Sequence, residues 1–198
     1  MRKTVLVLAA LGVLLGAASV RSASNEAPEW SFDPPHCSVL FFVKHILADI
    51  PGRFDSFSGV VRFDPENLAG SRIDVTVDIA SIDTGVPKRD EHLKSKDFFN
   101  AASFPSMRFV SKEIAVLGGG RYVAKGSMTI KDVTLPVEIP FEFLGVVTSP
   151  MEKGKQVAGF RARFALDMLD YHVSDGGFKK MGVMGSQVDI LMNLELLR

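Results

Sequence analysis

The stretch VTLPVEIPFEF, residues 133–143, carries an apolar side chain at every odd position: Val133, Leu135, Val137, Ile139, Phe141 and Phe143. A period of two is the period of a β-strand, whose successive side chains point to opposite faces. Working outward, the same pattern recurs. Residues 72–80 set Ile73, Val75, Val77 and Ile79 against Arg72, Asp74, Thr76 and Asp78. Ala158, Phe160, Ala162, Phe164, Leu166 and Met168 alternate with Gly159, Arg161, Arg163 and Asp167. Near the end, Val188, Ile190, Met192, Leu194 and Leu196 share one face, with Asp189, Asn193 and Glu195 opposite. Weaker versions cover 37–45, 54–63, 107–116 and 122–130. Strands with one buried and one wet face belong to antiparallel sheets, and about eight of them are expected here.

Turn chemistry separates these runs: Asp64-Pro65-Glu66-Asn67, Gly118-Gly119-Gly120, and Lys131-Asp132, which is short enough for a tight hairpin. The one helical exception is 87–100, where Leu93 and the Phe98-Phe99 pair sit among charges. The Gly-rich stretch 175–185 lacks the spacing of a phosphate loop. Eight such strands build either a sandwich or a closed up-and-down barrel, and the length of several runs favours the barrel. An eight-stranded barrel has room inside for one small ligand.

Residues 1–24 read as a cleaved signal peptide: Arg2 and Lys3, then an uncharged run from Thr4 to Ala18, then small residues. The run is shorter than the roughly 20 residues a membrane span requires. The rest, 25–198, is one domain by length, expected in the periplasm. Without Arg2, Lys3 and Arg21, 20 of the 23 basic residues stand against 23 acidic ones, a net charge near −3. That speaks against a nucleic-acid surface. The single cysteine, Cys37, rules out an internal disulfide. Fifteen Phe against one Trp and two Tyr give aromatic bulk with few polar atoms to satisfy.

Among candidate sites, His36, His45, His92 and His172 fit no compact zinc spacing, so no metal is expected. His45 continues the apolar face of Val39, Phe41 and Val43, which suggests a polar group at a cavity mouth. Arg89, Asp90 and His92 form a dense polar cluster beside Leu93, expected to converge with His45; the plainer reading is a charged loop with Asp90 capping a helical turn. No nucleophile-elbow spacing supports a Ser-His-Asp hydrolase. Cys37 has no helix N-terminus to lower its pKa.

Taken in order, several segments resemble the YceI-like family of polyisoprenoid-binding, lipocalin-like proteins. They are Trp30-Ser31-Phe32-Asp33 with His36, Gly52-Arg53-Phe54, Phe57-Ser58-Gly59 and Phe63-Asp64-Pro65, then Ser81-Ile82-Asp83-Thr84. Arg89-Asp90-Glu91-His92-Leu93, Asp97-Phe98-Phe99, Phe104-Pro105, Gly126-Ser127-Met128-Thr129-Ile130 and Val133-Thr134-Leu135-Pro136-Val137 complete the set. The resemblance implies an all-β fold: an eight-stranded antiparallel lipocalin-like barrel with a short helical segment near 87–100 and an apolar tunnel holding an isoprenoid-chain or similar amphiphilic lipid. It implies no catalytic residues and no cofactor beyond a bound lipid or quinone, with homodimerisation left open. Inward candidates to line the tunnel are Phe41, Val43, Val77, Ile79, Phe109, Phe141, Phe143, Phe160, Phe164, Met168 and Met192, with His45, Arg89, Asp90 and His92 at its mouth. The alternative is an exported enzyme using those four polar residues as acid-base groups, for which a nucleophile or a metal constellation is missing. Three departures from the family pattern stand out: Cys37 for a usual serine, Asp132 for a usual glycine, and the segment 168–172 in place of an Arg and a Gly.

Overall fold

The computed structural model describes residues 26–198; the expected signal segment, 1–24, lies outside them. Eleven strands form one antiparallel sheet. In chain order they are β1 (Glu29–Phe32), β2 (Ser38–His45), β3 (Ala48–Phe54), β4 (Phe57–Arg62), β5 (Arg72–Asp78) and β6 (Ile82–Asp83). Then follow β7 (Ser106–Gly118), β8 (Arg121–Ile130), β9 (Val133–Thr148), β10 (Gln156–Asp167) and β11 (Met184–Leu197). The short helices α1 (Pro87–Lys94) and α2 (Gly177–Lys180) are added, with a few 3-10 turns.

The eleven pieces make eight strand paths. β2 and then β1 lie along the same edge of β11: Met184 opposite His45 at one end, Leu196 opposite Phe32 at the other. β3 and β4 likewise trace one path beside them, through Val39 opposite Phe54 and Trp30 opposite Val61. β5 and β6 trace a third, with Phe57 opposite Val77 and Phe54 opposite Ile82. The interruptions, at Pro34–His36, at 55–56 and at Ile79–Ser81, fall side by side. With β11 bonded to β10 on its other edge, the sheet closes into an antiparallel eight-path barrel. The expected barrel is therefore correct. What alternation did not reveal is the breaks: β1 has four residues and β6 two, too short to show a period, and Pro51 and Gly52 blur β3. Pro51 is tolerated because most of β3 is bonded only to β2, leaving a free edge where a missing N–H costs nothing.

The two ends of the barrel differ. At the end carrying the 118–120 turn, where three successive glycines adopt positive φ, a cluster of aromatic rings occupies the interior. The Phe63 ring sits 5.1–5.5 Å from those of Tyr122, Phe141, Phe143 and Phe160, all edge-on. Trp30 adds its ring and donates from Nε1 to the Phe63 carbonyl at 3.0 Å. At the opposite end the ladder loosens. β9 pairs with β10 only from Phe141 onward, leaving 133–140 unbonded on that side. Pro136 and Pro140 stand in this unbonded part, where no N–H is available to extend the ladder. α1 and the loops 84–105 and 168–183 cover this helical end instead of strand pairing.

Because Phe63 is 2% exposed and touches four rings, Phe63→Ala should cost about 3–5 kcal/mol in urea denaturation. A loss below about 1 kcal/mol would mean that the plug collapses to fill the space.

Candidate functional site

Between the aromatic plug and the helical end the barrel is hollow. Two chambers of about 150 and 110 Å³ lie end to end. They share a collar formed by Phe41, Phe54, Met107, Ile130, Leu166 and Ile190. The deep chamber reaches down to Phe141 and Phe160; the outer one lies beneath Leu93, Phe98 and Phe99 and ends at Val43, Met184 and Val188. Collar side chains are hydrocarbon or thioether throughout, so a chain could enter without stripping water from unpaired polar atoms.

Small residues keep the space open. Gly52 stands opposite Phe41, and a Cβ placed on it would lie 2.1 Å from the Phe41 ring. Likewise a Cβ on Gly126 would meet the Phe109 ring at 2.8 Å and the Val110 carbonyl at 2.2 Å. Each ring lies down on the strand beside it because no side chain is there. Two arginines border the deep chamber, yet their head groups are engaged: Arg108 donates Nε and Nη2 to the two Asp74 carboxylate oxygens at 2.8 Å each. That pair holds the Asp74 carboxyl below its ordinary value. Arg161 faces Asn193 and Glu142 at 3.4 and 3.8 Å.

Of the expected lining residues, Phe41, Val43, Val77, Phe109, Phe141, Phe160, Phe164, Met168 and Met192 do border the chambers. Ile79 and Phe143 do not. Ile79 sits in the 3-10 break between β5 and β6, 1% exposed and packed as core; Phe143 belongs to the plug. The four polar residues also stay off the chamber walls. His45 is exposed at the β2–β3 hairpin and has no hydrogen bond, ion pair or ring contact with 89–92, so the expected convergence is not formed. The strand runs past the barrel rim there, which leaves even its inward-parity side chain in solvent.

Arg89 and Asp90 are spent on local structure. Asp90, buried, accepts from the Thr84 N–H at 2.9 Å and from its hydroxyl. Arg89 donates to Thr84 Oγ1 and to its carbonyl at 2.7 and 2.8 Å. Together they lock the turn that enters α1. His92 bonds Asp97 at 3.1 Å and sets its ring edge-on to Phe98, which stacks on Phe178. Cys37 donates its thiol to the Glu195 carbonyl at 3.1 Å, and burial pushes its pKa up, away from a nucleophile's needs.

The residues that sequence reading missed are Phe54, Met107, Ile130, Leu166 and Ile190 of the collar, and Tyr171. Met107, Leu166 and Ile190 share parity with Phe109, Phe164 and Met192, so the signal was present. Tyr171, 2% exposed, lines the outer chamber with its ring, and its hydroxyl makes no hydrogen bond among the described residues. Burial raises its pKa. Lys131, at φ 53° in the β8–β9 hairpin, reaches across to the carbonyls of Phe98, at 2.8 Å, and His172, tying both covering loops to the barrel. Two of the departures from the family pattern meet here: His172 Nδ1 lies 3.3 Å from Asp132 Oδ1. Among the described residues one group, Asp33, His36 and Glu195, has ligand atoms close enough for a metal, away from the chambers and with His36 already bonded to Asp33 at 2.8 Å.

The profile of the YceI-like domain matches residues 30–196. The chain belongs to the YceI-like family. A UPF0312 protein of Photorhabdus laumondii is 34% identical over 192 residues, covering 95% of this chain and 96% of that one. Among solved structures, Burkholderia cenocepacia BcnA is similar at 27% identity and a TM-score of 0.73, covering 84% of this chain and 99% of its own. A polyisoprenoid binding domain from Saccharophagus degradans, implicated in plant cell wall breakdown, shares the fold at 14% identity and a TM-score of 0.62, over 84% and 97% of the two chains. This YceI-like barrel thus carries its hollow in a scaffold seen elsewhere.

Gly52→Ala should force the Phe41 ring off the wall into the collar. The expected outcome is loss of chain-probe binding, with a stability change of only about 1–3 kcal/mol because the obstructing atoms are a ring that can swing. Binding isotherms with a fluorescent alkyl probe decide it; undiminished affinity would show that the collar is not the passage. A second expectation concerns pH. Asp167 accepts from Ser186 Oγ at 2.7 Å and from the Leu169 N–H, which holds its carboxyl below the ordinary 3.8. Its folded pKa is depressed, so its stabilisation is present above 3.8 and is lost as pH falls through the lower folded value. Hydrogen exchange of 168–183 should accelerate over that acidic window, and Asp167→Asn should remove the dependence.

Proposed function

We propose that this chain is an exported carrier that holds the hydrocarbon tail of an amphiphilic lipid, an isoprenoid or similar chain, inside the barrel. The observation that carries the reading is the pair of adjoining apolar chambers, sealed by aromatic rings at one end and covered by short helices at the other. Membership of the YceI-like family and the likeness to a polyisoprenoid binding domain support it. Burial of about ten methylenes supplies roughly 8 kcal/mol, the scale of a micromolar complex before ordering costs are subtracted. The head group stays near the helical end, where the outer chamber meets the covering helix and loops. A quinone fits this requirement as well as a polyprenyl lipid does.

The signal-like residues 1–24 support export and a periplasmic site of action. No helix among the described residues is long and apolar enough to cross a membrane. An enzymatic role is disfavoured by the engagement of Arg89 and Asp90 with Thr84 and by the raised pKa of Cys37.

Native mass spectrometry of the purified protein, followed by lipid extraction, should recover a chain-bearing lipid at near-stoichiometric amounts. Phe164→Trp should reduce that retention while stability changes little, since Phe164 borders a space. If the wild type carries and takes up no lipid, and Phe164→Trp costs about 1–3 kcal/mol by overpacking, the interior is a filled core and the carrier reading falls.

A further inference from the structure

The β2–β3 hairpin turns in two residues, Ile46 and Leu47, and both choices are costly. Ile46 adopts φ 53°, a left-handed conformation that a β-branched side chain rarely takes and that glycine or asparagine would take with ease. Leu47, instead of a polar turn residue, is 86% exposed, and Ile46 is 61% exposed. The Ile46 N–H donates to the Val183 carbonyl at 3.0 Å, which fastens the hairpin tip beside the turn after α2. Met181, 65% exposed, lies in that turn. Three large apolar side chains thus protrude from one rim.

Lysines surround them. Lys44 holds the Leu47 carbonyl at 2.9 Å, Lys179 binds Ser186 at 2.7 Å and lies 3.8 Å from the Asp167 carboxylate, and Lys180 makes no ion pair among the described residues. Across 44–49 and 177–183 the only acidic residue is Asp49, 3.9 Å from Lys44. Apolar tips ringed by cations suit the boundary between acyl chains and anionic head groups. This rim also adjoins the cavity: Val43 and Met184, which border the outer chamber, are the immediate neighbours of the hairpin, and Met184 pairs with His45.

We propose that the rim formed by Ile46, Leu47 and Met181 with Lys44, Lys179 and Lys180 docks on an anionic bilayer surface, setting the outer chamber against the membrane for lipid transfer. Exposed apolar residues at the opposite end, such as Leu117 and Met151, lie beyond the aromatic plug and border neither of these two chambers. Docking needs no cargo. Transfer rests on the chain-binding function proposed above, so the two are measured apart.

Vesicle flotation reads the docking. The wild type should float with vesicles of phosphatidylethanolamine and phosphatidylglycerol, less with pure phosphatidylcholine, and less again in high salt. Leu47→Glu combined with Met181→Glu should lower the vesicle-bound fraction about tenfold or more. Lys180→Glu should weaken binding and flatten its salt dependence. Leu117→Glu with Met151→Glu should change nothing. Uptake of a fluorescent chain probe reads the transfer: the Leu47→Glu, Met181→Glu protein should load normally from detergent micelles but slowly from vesicles. Wild-type protein that stays in solution with anionic vesicles, or binding abolished by the far-end pair instead, overturns the docking. Flotation without any probe uptake from micelles overturns the carrier function and leaves docking standing.

Discussion

Both edges of β11 are occupied, and the rest of the molecule follows from that. On one edge β10 pairs with it from Asp167 to Val157; on the other β2 and β1 share it in succession. A sheet closed in this way has an inside, and every alternate residue of eight strand paths must be accommodated there. Eight paths enclose a space that side chains can just fill. Whether the interior is solid or hollow is then decided level by level, by the size and posture of the inward residues. Toward the closed end Phe63 brings a fifth ring among Tyr122, Phe141, Phe143 and Phe160, and these rings floor the deep chamber. At mid-height Gly52 and Gly126 let two phenylalanines lie flat, and the same residue type leaves a passage.

The helical end is built by withholding hydrogen bonds. Pro136 and Pro140 stand where β9 is not bonded to β10, and β6 ends the third path after two residues, opposite no part of β7. The openings are covered by α1, by the Phe98-Phe99 segment and by the loop from Met168 to Val183, held through a few side-chain links. Lys131 binds two carbonyls, Asp167 binds Ser186, and Asp90 binds Thr84. Elements held by side chains instead of ladders open locally at lower cost than the barrel itself. A cover of this kind is compatible with the carrier role proposed above.

Much of this was readable in the residues. The inward sets of β9, β10 and β11 were plain, because a half-buried strand imprints its period on any sequence long enough to show it. The breaks at Pro34–His36 and Ile79–Ser81 were not, since a break shifts parity over too few residues to register. Ile79 was misread for that reason, and His45 because parity says which way a side chain points but not where the rim ends. The Arg89-Asp90 cluster presents a sharper case. A buried carboxylate beside an arginine reads as a site, yet the partner that satisfies both, Thr84, is an unremarkable residue five and six positions away. The collar was only half legible: its residues were in the alternating sets, but which of them leave space between them depends on the glycines opposite.

The weakness of the site's motif is itself a physical consequence. Hydrophobic association is non-directional and scales with area, so a hydrocarbon chain can be held by any set of apolar residues that leaves a passage of the right width. Such a site imposes no fixed spacing of acids, bases or ligands, and composition is all that marks it. Directional demands enter only where a polar head group leaves the chamber. On the covering loops of that end His172 meets Asp132, two positions at which this chain departs from the family pattern. The division of labour follows from the chemistry of an amphiphile. For the amphiphile proposed above, the tail asks for width and length, which the barrel would supply, and the head asks for specific partners, which the rim is free to vary.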